Sequence, residues 1–147
     1  MTDLSAFTNL VPLDHGLVVV STARADGTIQ SSVVNAGVLD HPTRRQPVVA
    51  FVAAGSSRRL TNLRARPHAT VVIRAGWRWA GVDGPVELVG PDDPLDRIDG
   101  EGLRRLLRDI FAAAGGTHDD WDEYDRVMAT ERRVAVLVDP QRSYGNG

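Results

Sequence analysis

The sequence predicts an α+β fold built on a mainly antiparallel sheet, and two observations carry this. Five apolar, β-branched segments separated by turn signals fill most of the first ninety positions. Two segments of helical periodicity and one last apolar strand follow. The order βββ-α-ββ-α-α-β, in a chain of 147 residues, is that of a single domain (1–147) whose sheet is long enough to close into a barrel.

Residues 3–13 read as a short helix capped by Thr2 or Asp3, with Leu4, Phe7, Leu10 and Val11 on one face. GLVVVSTAR (16–24) is the first strand, Asp26-Gly27 a hairpin turn, and TIQSSVVNAGVLD (28–40) the returning strand. HPTRRQ turns into PVVAFVAA (47–54), which is apolar on both faces and therefore central. A helix is predicted from Ser57 to Ala65, stopped by Pro67. HATVVIRA and WRWAGVDGPVELVG are strands four and five, the latter with a bend expected at Gly81 or Gly84. From Pro94 to Ala114 leucines, isoleucines and Phe111 recur at helical spacing, interrupted near Gly100 and Gly102. Thr117 or Asp119 opens a further helix, HDDWDEYDRVMATE, and RRVAVLVDP is the sixth strand.

Composition excludes several functions. A net charge of −2 argues against nucleic acid as the main partner. No run of ~20 apolar residues is present, and MTDLSAFTNLVPLDHG lacks the basic start of a signal peptide, so a soluble cytoplasmic protein is expected. There is no cysteine, hence no thiol nucleophile or zinc–thiolate site. All 17 basic residues are arginine, which removes lysine Schiff-base chemistry. The Arg, Ala, Val, Gly and Asp bias fits a GC-rich, actinobacterial source.

The four histidines are scattered, and none pairs at H-x-x-x-H spacing. The acidic cluster His118, Asp119, Asp120, Asp122, Glu123 suits a helix N-terminus better than a metal, so no metal site is expected. No serine-hydrolase elbow, G-x-G-x-x-G or Walker lysine occurs. One stretch stands out: GSSRRLTNLRARP, directly after the third strand. Ser56 or Ser57 can cap the helix, its free N–H groups favour an anion, and Arg58 and Arg59 can grip phosphate bidentately. A capped helix with two solvated arginines accounts for the same residues. Trp77 and Trp79, flanking Arg78 at a strand start, share a face suited to a flat ring system, to a subunit interface or to core packing.

The ordered run SSRRLTNLRARPHATVVI followed by WRWAGVDGPVELV resembles the helix-and-strand core of the split β-barrel flavin and deazaflavin proteins related to pyridoxamine 5′-phosphate oxidase. The later DDWDEYDRVMATERRV and terminal RSYG are similar to a mycobacterial branch that binds coenzyme F420. The resemblance spans about Leu13 to Gly145 and implies a six-stranded barrel with peripheral helices. It further implies that Ser56, Ser57, Arg58 and Arg59, with Asn62, hold the cofactor's phosphate and acidic tail. Gln30, Ser32 and Asn35 would face the ring, and Trp77, Arg78 and Trp79 of this chain or its partner would close the pocket. A homodimer with cofactor at the interface is implied, as is hydride transfer to an unsaturated small molecule, with solvent or Tyr144 as proton source. FMN-binding relatives usually carry Arg and Lys on the second strand, where TIQSSVVN has neither, and Arg59 stands where the branch often has lysine. An FMN-binding oxidase or reductase and a non-catalytic F420 carrier are the alternative readings.

Overall fold

A computed structural model describes residues 2–146. Seven strands and four helices are present among them: α1 Ser5–Leu10, β1 Leu17–Ala23, β2 Ile29–Asp40, β3 Pro47–Ala53, α2 Arg58–Ala65, β4 His68–Ala75, β5 Arg78–Val89, α3 Gly100–Ala113, α4 Trp121–Thr130, β6 Val134–Val138 and β7 Arg142–Gly145. The six expected strands close on themselves in the order β4-β1-β2-β3-β6-β5, with β5 pairing back onto β4 and every pairing antiparallel. The predicted barrel is formed.

Alternation along the strands divides the apolar side chains between two cores. Val18, Val20, Phe51, Val71, Ile73, Val82 and Val136 fill the barrel, joined by Phe7 and Leu10 from α1 and Leu60 and Leu63 from α2. On the outer face of β3 and β6, Val48, Ala50, Ala135 and Leu137 pack against Leu106, Leu107 and Ile110 of α3 and Tyr124 of α4. β3 is therefore buried on both faces, as its continuous apolar run requires. Each fully buried side chain of this size contributes about 1.5–3 kcal/mol. At Gly37 an added Cβ would lie 2.4 Å from the Ala113 carbonyl carbon, so α3 reaches β2 only because no side chain intervenes.

Four details differ from the sequence expectation. The first helix ends at Leu10, and Pro12 lies in a separate 3-10 turn; the Asp3 side chain accepts from Ser5 N–H at 2.9 Å. Helix α3 starts only at Gly100, because Arg97 has a left-handed backbone (φ 70°) and Asp99 caps the Gly102 N–H at 2.7 Å. Helix α4 is capped by Asp120, which accepts from Glu123 N–H at 3.1 Å. The seventh strand, β7, was not expected. It continues β6 along the same edge of β5, and the change of partner falls at Gly84, where the Asp139 carbonyl passes 1.7 Å from where a Cβ would sit.

Candidate functional site

β2 pairs with β3 only from Ala36 onward, so its first half, Ile29 to Asn35, is held by β1 alone. A cleft of about 450 Å³ lies beside this open half, within the usual range for small-molecule sites. Val33, Val34 and Asn35 of β2 and Val52 of β3 form one side, and Arg59 of α2 enters from the strand-to-helix turn. Ile110 and Phe111 of α3, Tyr124 and Met128 of α4, and Arg133 form the other side. No carboxylate lines it among the described residues.

The charge in this cleft is uncompensated at one point. Arg133 is paired with Glu131 at 2.8 Å, whereas Arg59 has no ion-pair partner among the described residues. The Arg59 Nε is buried with nothing to donate to. Burial, and secondarily the nearby Arg133, hold its guanidinium below the usual arginine range. Ser57 occupies the cap position of α2 with extended backbone (φ −71°, ψ 149°), yet its hydroxyl makes no capping bond. That Oγ and the Ser32 Oγ are likewise buried without a partner. Buried polar atoms are nearly always paired. Of the three, Arg59 alone lines the cleft; Ser32 lies on the face of β2 that it shares with the barrel-core Val20. Ser56 and Arg58 on the same turn are exposed.

Gln30 and Asn62 come together: the Asn62 amide donates to Gln30 Oε1 at 3.0 Å and to Thr22 Oγ1 at 3.1 Å. With its oxygen so engaged, Gln30 presents its NH₂ group as donor. Gln30 and Ser32 pair with Thr22 and Val20 and share their face of the sheet, but Asn35 lies on the opposite face. Its amide donates to the His15 carbonyl at 2.7 Å, holding a residue whose backbone is left-handed (φ 55°). Trp77 stands in the β4–β5 turn rather than on the strand, 94% exposed, and Trp79 is 37% exposed. Neither they nor Arg78 line the cleft of their own chain. Asn146 braces this hairpin instead, donating to the Trp77 carbonyl at 2.6 Å and accepting from Trp79 N–H at 2.9 Å. Tyr144 packs edge-on to Trp79 and over Gly81, also away from the cleft. Burial, then Asp83, raise its phenol above the ordinary value.

Sequence reasoning missed the α3–α4 wall and Arg133. Their apolar residues read as core, and Arg133 as the start of a strand. Tyr124 donates to the Leu107 carbonyl at 3.0 Å, and burial pushes it up to about 12, so it stays neutral with its O–H committed to the helix backbone. The acidic cluster serves as caps: His118 Nδ1 accepts from Asp120 N–H at 3.0 Å, and Asp120 caps α4. No group of three His, Asp or Glu that could hold a metal is present among the described residues. Nor is any helix there long and apolar enough to cross a membrane.

No protein-family model matches the chain. Solved structures do. An F420 reductase is 18% identical, with 92% of this chain and 94% of that one covered at a TM-score of 0.62. A pyridoxamine 5′-phosphate oxidase-related, FMN-binding protein from Nostoc punctiforme is 10% identical, with 99% and 84% covered at 0.72. A conserved hypothetical protein from Mycobacterium tuberculosis is 17% identical, with 99% and 84% covered at 0.69. A heme storage protein from Vibrio cholerae is among the further matches. The chain therefore has the split β-barrel fold of the pyridoxamine 5′-phosphate oxidase-like proteins, shared with the F420 reductase and FMN-binding structures that it matches.

Proposed function

We propose that the protein is a coenzyme F420-dependent oxidoreductase acting on an unsaturated small molecule. The observation that carries this reading is Arg59: a half-buried guanidinium whose Nε is shielded and which has no counter-ion among the described residues, in a cleft that none of their carboxylates lines. Such an arrangement is costly unless an anion completes it. The phosphate and acidic tail of F420 would be held by Arg59 and the Ser57 hydroxyl, with the first N–H groups of α2 adding a favourable field. FMN fits less well, since β2 carries no basic residue for its phosphate.

When bound, the deazaflavin would supply the hydride; the chain supplies position and environment. Gln30, fixed by Asn62, offers an oriented donor at the open half of β2. Ile110, Phe111 and Met128 give the cleft an apolar wall that excludes water from one side. The proton would come from solvent entering the open cleft, because Tyr144 lies outside it and the Tyr124 O–H is committed to the Leu107 carbonyl.

A homodimer in the cytoplasm is part of the same proposal. The outer face of β1 and the first half of β2 exposes Leu17, Val19, Ile29 and Val33, the last at the mouth of the cleft. Val33, Val19, Val72, Gly81 and Tyr144 form one cross-strand row there. A second copy would cover this row and bring Trp77 and Trp79 to its partner.

Turnover separates an enzyme from a carrier. Reduced F420 is mixed anaerobically with the protein and a cyclic enone, and oxidation is followed by the return of the cofactor's visible absorbance. The proposal expects protein-dependent oxidation. Tight F420 binding with no oxidation across a panel of enones and imines would favour the carrier reading.

A further inference from the structure

Of the four histidines, three have evident places outside the cleft beside β2. His41 is buried, and its Nδ1 accepts from the Thr43 and Arg44 N–H groups at 3.1 and 3.2 Å. His118 Nδ1 accepts from Asp120 N–H at 3.0 Å, and its ring packs edge-on to Phe111. His68 is exposed on β4. His15 alone lines the cleft, on the turn before β1.

The backbone holds it there. His15 is left-handed (φ 55°), a conformation that disfavours residues with a Cβ and persists where neighbours enforce it. Its carbonyl accepts from the Asn35 amide at 2.7 Å. The next carbonyl, that of Gly16, accepts from Ala36 N–H at 2.8 Å. A Cβ at Gly16 would lie 2.3 Å from the Ala36 oxygen and 3.0 Å from the Ala114 oxygen, so the turn is wedged between β2 and the end of α3. The imidazole itself enters no ion pair among the described residues.

The other ionisable groups of the lining are Arg59, Arg133 and Tyr124, with no carboxylate of the described residues among them. Asp14 adjoins His15 on its own turn, and β2 and α3 place no charged side chain in the lining. Histidine is the side-chain type that gains charge as pH falls from 8 to 5. His15 can therefore add a second cation to the unpaired one at Arg59.

We propose that His15 is a second anion-binding residue of this cleft. With Arg59 it selects a ligand that carries two anionic groups, and it contacts one of them as the imidazolium. The inference rests on reading the cleft as an anion site, and not on which cofactor fills it. Binding through the charged form takes up a proton, so affinity rises as pH falls.

The probe is 1,3-propanedisulfonate, whose two charges do not change between pH 8 and pH 5.5. It is titrated into the full chain at both values and followed by NMR, the His15 ring signal being identified by its loss in His15→Asn. That signal should move on titration, and affinity should be higher at pH 5.5 by about threefold, the scale of an exposed charge contact. Asparagine tolerates the left-handed backbone, thermal melts establish that the variant folds, and the rise should vanish in it. His15→Arg, a residue type already left-handed at Arg45, Arg97 and Arg132, should show the higher affinity at both values. A rise as large in His15→Asn as in the native chain, or a His15 signal that ignores the disulfonate, overturns the inference. A parallel F420 titration separates the two readings. A His15 response to the disulfonate in a protein that ignores F420 supports the anion contact and rejects the cofactor. F420 bound equally by the native chain and His15→Asn at pH 5.5 retains the cofactor and rejects the role of His15.

Discussion

Replacing Arg59 with methionine should move stability and affinity in opposite directions. The side chain has a buried Nε with no acceptor and no counter-ion among the described residues, and it faces Arg133. A buried, unsatisfied donor costs about 1–3 kcal/mol. Methionine keeps much of the stem's packing while removing the donor and the charge. The ligand-free variant should therefore be about 1 kcal/mol more stable, a rise of about 3 °C in Tm for a chain of this length. Affinity should fall, because a hydrogen bond to a charged group contributes about 1.5–3 kcal/mol, or roughly tenfold to a hundredfold in Kd. Differential scanning fluorimetry without ligand and fluorescence titration with F420 measure the two effects. Arg58→Met, at an exposed position, should change both far less. A variant with lower Tm and unchanged F420 affinity would show Arg59 to be a structural residue, and the argument from its missing anion would fail.

Other consequences are equally open to measurement. Tyr124 should ionise only near pH 12 in an ultraviolet difference titration, since burial pushes it up to about 12. The unfolded chain ionises near the ordinary value of about 10, so its contribution to stability should be constant below pH 10 and decline as pH rises towards 12. Gly37→Ala places a Cβ 2.4 Å from the Ala113 carbonyl carbon and should cost about 2 kcal/mol by urea denaturation; an unchanged midpoint would mean that α3 shifts freely. Light scattering should return twice the 15.9 kDa chain mass, and Val19→Arg, in the exposed row and outside the cleft lining, should return the mass of one chain.

The strands were legible because β-branched runs and the Asp26-Gly27 turn impose period two and a fixed hairpin. β3 could be placed at the centre because a strand buried on both faces has no polar positions. β7 was not legible: Arg142–Gly145 is short and polar, and it becomes a strand only through the free edge of β5. The start of α3 was misplaced because helical spacing continued through Leu95 and Ile98 although Arg97 leaves the helical region. At the cleft, Arg59 could be singled out from residue types alone, whereas its neighbours Ser56, Ser57 and Arg58 do not line it. The opposed faces of Ser32 and Asn35 also follow from strand alternation, a consequence that the family resemblance obscured. Phe111, Met128 and Arg133 could not be found, since their place beside β2 depends on how α3 and α4 cross the barrel.

The central claim is that the cleft beside β2 is built for a deazaflavin's acidic tail and not for FMN. Parallel fluorescence titrations of the purified protein with F420 and with FMN, at matched ionic strength, test it most directly. The account predicts saturable quenching by F420 in the micromolar range or below, weakening as salt is raised, with FMN at least tenfold weaker. Tight FMN binding with no response to F420 would contradict it.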